Sequence, residues 1–84
     1  INLAVFGERN ALVATYYNNI GMALKDLGEN HKALDYFKKG LRIRLDLYGK
    51  NHPDVVVSYN NIGAVLQIFG NNIKALECFK EALD

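Results

Sequence analysis

The sequence predicts an all-α chain, a helical array built from antiparallel helix pairs, and three observations predict it. A shift of 42 positions lays residues 1–42 on 43–84 without a gap, and 18 of the 42 pairs are identical, including the run Tyr17-Asn18-Asn19-Ile20-Gly21 against Tyr59-Asn60-Asn61-Ile62-Gly63. A fixed period of this size marks stacked supersecondary units, each burying its apolar face on a neighbour. Within each copy the apolar residues recur at steps of three and four, the spacing of one helix face. Glycines and capping residues then punctuate both copies at matched places.

The elements follow in order. Asn10 is a good N-cap, and Val13, Tyr17, Ile20, Leu24 and Leu27 form one stripe, which predicts a helix from about 11 to 27. Gly28 suits the left-handed residue that closes it, and Asn30 is expected to cap the return. Leu34, Phe37, Leu41, Leu45 and Tyr48 predict a second helix over 31–47, ended by Gly49. His52 takes the place of Asn10, Pro53 fits the first helical position and Asp54 favours the first turn, so a third helix is expected over 53–69 with the stripe Val55, Tyr59, Ile62, Leu66 and Phe69. Gly70 and Asn72 repeat the turn, and Leu76, Phe79 and Leu83 carry a fourth helix over 73–84. Connections this short force antiparallel neighbours. No segment sustains the period of two that a strand needs.

The whole of 1–84 is read as a single fragment of such an array: 1–7 as the tail of a preceding helix, 8–49 as repeat one and 50–84 as repeat two with its last helix truncated. Residues 1–6 align with 43–48, so the chain is expected to start and stop within a helix and to be cut from a longer protein. Its apolar ends lack the polar caps such arrays use, so end-to-end self-association is expected.

Composition narrows the function classes. Half the residues are hydrophobic, 23% are charged and the net charge is +1, which gives no field suited to nucleic acid or an anionic membrane. Lys38, Lys39, Arg42 and Arg44 are read as the solvated face of a helix. No apolar run is long enough to span a bilayer, and Ile1 is not followed by the charged leader and apolar stretch of a signal peptide. The single cysteine, Cys78, allows no internal disulfide and fits a reducing, cytoplasmic setting. His31 and His52 have no Cys, Asp or Glu at metal spacing, apart from the His52–Asp54 pair, which reads as a helix entry. Cys78 reads as partly buried packing, and no glycine run matches a phosphate loop or a dinucleotide fingerprint. Catalytic and metal residues are therefore assigned to none, and no cofactor is implied.

The positions singled out resemble the tetratricopeptide repeat. The large, Leu-like and small positions of helix A, the turn glycine, and the Ala and aromatic of helix B fall to Tyr17, Ile20, Gly21, Leu24, Gly28, Ala33 and Phe37, and again to Tyr59, Ile62, Gly63, Leu66, Gly70, Ala75 and Phe79. The final small residue is Gly40 in one copy and Ala82 in the other. The 42-residue period and the run Leu47-Tyr48-Gly49-Lys50-Asn51-His52-Pro53-Asp54 look like the longer repeat of the kinesin light chain class. The resemblance implies a right-handed α-solenoid in which Gly21 and Ala33 face each other, with Tyr17 and Phe37 above and below.

It also implies a protein-interaction scaffold whose concave helix-A face holds a peptide segment of another protein. Opposite Tyr17, Ile20 and Leu24 that face carries Asn18, Asn19, Met22 and Lys25, with Thr15 and Asp26 beside them. In the second copy it carries Asn60, Asn61, Ala64 and Gln67, with Val57 and Ile68. Peptide-clamping members of the family place an Asn at the positions of Asn19 and Asn61, and an amide offers a peptide backbone both donors and an acceptor. The same asparagines can instead bond one repeat to the next. Lys25 is matched by Gln67, so the basic clamp for acidic C-terminal peptides is incomplete. The alternative function is structural: spacer or self-associating repeats with no ligand of their own.

Overall fold

The computed structural model describes residues 10–83. They form four helices, α1 (Ala11–Asp26), α2 (Asn30–Tyr48), α3 (Pro53–Ile68) and α4 (Asn72–Leu83), and no strand occurs among the described residues. Each helix packs on the next in chain order, α1 on α2, α2 on α3 and α3 on α4. The fold is an all-α helical-repeat solenoid, a slab of 39 × 30 × 13 Å. The expected helix tail at 1–7, Gly7 included, lies outside the described residues.

Local chemistry sets the helix ends. Asn10 accepts a hydrogen bond from the Leu12 amide through Oδ1 at 2.7 Å, and His52 accepts one from the Asp54 amide through Nδ1 at 3.0 Å. Each satisfies a donor that a helix start leaves unpaired. The α1–α2 turn has Gly28 at φ 84°, with the Gly28 amide on the Lys25 carbonyl at 3.0 Å and the Glu29 amide on the Leu24 carbonyl at 2.8 Å. The α3–α4 turn repeats it: Gly70 is at φ 79°, and the Asn71 amide reaches the Leu66 carbonyl at 2.9 Å. This pair of bonds defines the Schellman closure, which needs the left-handed residue that glycine supplies without steric cost.

The turn chemistry corrects one expectation. Asn30 and Asn72 do not cap the returning helices, because the closure is so short that both already lie inside the helix. Glu29 is the N-cap of α2 without a side-chain bond, and in the second turn Asn71 Oδ1 accepts from the Lys74 amide at 3.4 Å. Asn30 Oδ1 is left buried with no protein partner.

One core runs through both helix pairs. Ala33, Phe37, Ile62, Val65, Leu66 and Ala75 form a buried cluster, with Leu24, Leu34, Leu41, Cys78 and Phe79 packed against it. Burying a side chain such as Phe37 contributes about 1.5–3 kcal/mol. The close approach within each pair is set by glycine against phenylalanine. A Cβ at Gly21 would lie 2.7 Å from the Phe37 ring and 3.2 Å from the Ala33 carbonyl oxygen, and one at Gly63 would lie 2.6 Å from the Phe79 ring. Gly21 thus seats the Phe37 ring and touches Ala33 through its backbone, a refinement of the expected Gly21–Ala33 contact. Tyr17 is half-buried and tilts against Tyr36, their ring centroids 5.8 Å apart.

Two further expectations are corrected by burial. Ile20 is 42% exposed while its counterpart Ile62 is 4% exposed, because α2 packs over α3 but the same flank of α1 has no described helix against it. Leu27 is also exposed, at the turn and beyond the reach of α2. Among the basic residues, Lys38, Lys39 and Arg42 are solvated, but Arg44 is only 6% exposed. Its guanidinium donates to Ser58 Oγ at 2.8 Å and to the Asp54 carbonyl oxygen at 3.1 Å. Two charge-assisted bonds thereby pin the end of α2 to the start of α3.

Candidate functional site

Helices α1 and α3 carry the candidate residues, and a side-chain hydrogen bond joins the two helices. Asn61 donates from Nδ2 to Asn18 Oδ1 at 2.9 Å. Asn18 in turn donates from Nδ2 to the Met22 sulfur at 3.8 Å, a weak contact one helical turn on. Asn18 is 8% exposed and Asn61 is half-buried. Asn18 was expected on the open face opposite Tyr17; it lies instead in the buried seam between the two repeats. The reason is geometric: Ala14, Asn18 and Gly21 share the buried side of α1, and the amide fills that side while its polar atoms are met. A buried amide without partners would cost several kcal/mol.

Around this seam the other candidates remain accessible. Asn19, Met22, Asn60 and Gln67 are exposed, and Lys25 and Ala64 are half-buried. Thr15, Asp26, Val57 and Ile68 are exposed with them, so the surface mixes amides with apolar patches at Met22, Val57 and Ile68. The identical Asn-Asn pairs are therefore used unequally. In α1 the first asparagine is buried and the second open; in α3 the first is open and the second joins the seam.

The structure also shows features that the residue pattern did not reveal. Arg44 with Ser58 is a second link between repeats, and neither has an identical partner at the 42-residue shift, where Ser58 aligns with Tyr16. A groove of about 400 Å³ lies on the side of α2 and α4, floored by Leu34, Ile62, Leu66 and Phe69, with Lys38 and Cys78 on its wall. The His31 ring stacks on Phe69, with centroids 4.5 Å apart.

The titratable groups offer little for chemistry. Burial pushes the Cys78 thiol up from its ordinary 9.0, and Glu77 adds to the effect while Lys38 opposes it. A thiol held in its neutral form is a poor nucleophile. Burial likewise raises the Tyr59 phenol from 10.0, with Glu81 reinforcing and Lys50 opposing. His52 is occupied as a cap and stacks on Tyr48, the rings 3.9 Å apart. Among the described residues no group of three or more His, Cys, Asp or Glu is placed to hold a metal ion, and no helix is long and apolar enough to cross a membrane.

A family model for the tetratricopeptide repeat matches residues 12–84. No curated protein matches the chain.

Proposed function

The chain belongs to the tetratricopeptide repeat family, whose repeats are non-catalytic and mediate protein–protein interaction, and from that premise we propose that it binds a peptide segment of another protein on the face shared by α1 and α3. The observation that carries this reading is the accessible set Asn19, Met22, Lys25, Asn60, Ala64 and Gln67, which surrounds a seam already satisfied by Asn18 and Asn61. The seam ties α1 to α3, and the open amides Asn19, Asn60 and Gln67 offer donors and acceptors to a peptide backbone from positions that differ between the two repeats. Asn18 and Asn61 support the site from below in this reading. The 42-residue period supports placement with the longer, kinesin-light-chain-like repeats, with unit boundaries at 8–49 and 50–84. The single cysteine supports a cytoplasmic setting.

A peptide-display screen against the chain tests the proposal. Peptides recovered should lose binding to Met22→Glu and Gln67→Glu while both variants keep the parent melting temperature. Peptides that bind those variants as well as the parent would place the ligand elsewhere, the groove beside α2 and α4 included. A second reading, a structural or self-associating unit, is favoured by Leu76 and Leu83, which are exposed at the α4 end of the slab.

A further inference from the structure

The groove beside α2 and α4 is internal to the array: α2 forms one wall, α4 the other and α3 the floor. Its lining residues step along the helices by three and four. His31, Leu34 and Lys38 line it from α2, and Lys74 and Cys78 from α4. Such steps keep each set on one helix face. From His31 to Lys38 the groove runs for about two turns, roughly 10 Å at the helical rise. A helix is about 10–12 Å across with its side chains, so two turns of one exceed the groove's volume of about 400 Å³. The groove takes side chains from a segment lying over it, not the segment itself.

The floor is apolar and the rims are basic. Phe69 stays 38% exposed and Leu34 is half-buried, above the buried Ile62 and Leu66. Lys38 on one wall and Lys74 on the other are exposed, and neither forms an ion pair with a carboxylate among the described residues. Against these two lysines the described lining offers a single carboxylate, Glu77.

We propose that this groove is a second docking site and that its occupant is an amphipathic helix of another protein, its apolar stripe flanked on both sides by carboxylates. Apolar anchors at three- and four-residue steps match walls built on the same steps, the way a helix seats in an apolar groove. The stripe packs on Leu34 and Phe69. Carboxylates on one flank face Lys38 and those on the other face Lys74. Glu77 opposes a carboxylate one turn along the α4 wall, so the acids of that flank belong at the Lys74 end. The site shares no residue with the face that carries Asn19, Met22 and Gln67, so this goes beyond peptide binding there. Cys78, the chain's single thiol, lies on the wall and is covered when the groove is filled.

Fluorescence anisotropy on the 84-residue chain tests it. The probe is a synthetic helical peptide with leucines at i, i+3, i+4 and i+7 and glutamates on both flanks. One control has lysines for the glutamates, and another has the same composition with the leucines scrambled. The glutamate peptide should bind more tightly than either control and should weaken as added salt screens the rims. Lys38→Glu combined with Lys74→Glu should weaken it by about tenfold or more, because like charges then meet across the interface. Met22→Glu and Gln67→Glu should leave it unchanged, and saturating peptide should slow alkylation of Cys78. No binding up to millimolar peptide, equal binding of either control, a double variant that binds like the parent, loss of binding in Met22→Glu, or alkylation indifferent to the peptide would each overturn the proposal. Circular dichroism verifies that the variants fold; should the double variant lose its helical signal, Lys38→Gln and Lys74→Gln, made singly, take its place, and each should weaken the glutamate peptide.

Discussion

Single atoms decide how closely each helix pair can pack. Gly21 has no Cβ because the Phe37 ring stands where one would be, and Gly63 meets Phe79 in the same way. Gly21→Ala gains about 1 kcal/mol of helix propensity, yet it drives a methyl into a ring fixed in the core, an overpacking that costs about 1–3 kcal/mol. The net effect should be destabilising, and Ala33→Leu, at a position with no exposure, should cost a similar 1–3 kcal/mol, roughly. Urea melts of both variants measure this; a Gly21→Ala chain more stable than the parent would show that the ring can move aside.

Two half-buried acids give a second residue-scale outcome. The Tyr59 and Cys78 pKa values are raised in the fold, mainly by burial. Their contribution to stability is therefore complete below the ordinary values of 9.0 for the thiol and 10.0 for the phenol, and is lost as pH rises through the raised values. The melting temperature should fall on the alkaline side. Cys78→Ser should remove the earlier part of that fall and Tyr59→Phe the later part, relative to the parent titrated in parallel.

At the scale of the element, the two pairs start differently and end alike. Asn10 and His52 supply the same service with different acceptors, and Asn10→Ala should cost about 1 kcal/mol by leaving the Leu12 amide without its partner. A thermal melt checks it. The four helices, their short connections and the glycine closures were legible in the sequence because they depend on local backbone chemistry and on a three-to-four residue apolar spacing. Asn30 and Asn72 were misplaced as caps because a residue pattern does not show that a Schellman turn leaves a single residue to serve both helices. Asn18, Ile20 and Arg44 were misplaced for another reason. Their environments depend on which flank of a helix meets the next repeat, and a stripe drawn on one helix does not carry that information. The clue available was the inequality between copies: Ser58 against Tyr16, and a lone arginine at position 44 where residue 2 is Asn. The identical Asn-Asn pairs suggested equal roles that the seam does not give them.

For the molecule as a whole, the α2–α3 seam makes one body from two repeats. Arg44 is its polar fastening, and Arg44→Ala leaves the buried Ser58 hydroxyl without this partner and removes the second bond to the Asp54 carbonyl. The loss should be about 2–3 kcal/mol, in the range for hydrogen bonds to a charged group. If the seam alone couples the halves, the variant's urea transition should also broaden, with a smaller slope than the parent, as a nearest-neighbour array predicts when one junction weakens.

The slab's 13 Å dimension carries a consequence for timing. A layer so thin has no deep interior, so an amide is shielded by the helices beside it and by little else. α2 and α3 each pack broadly on two helices; among the described residues α1 packs broadly only on α2, with a single side-chain bond to α3, and α4 packs broadly only on α3. Deuterium uptake should therefore run as a gradient, slowest in the middle two helices and fastest at the outer two.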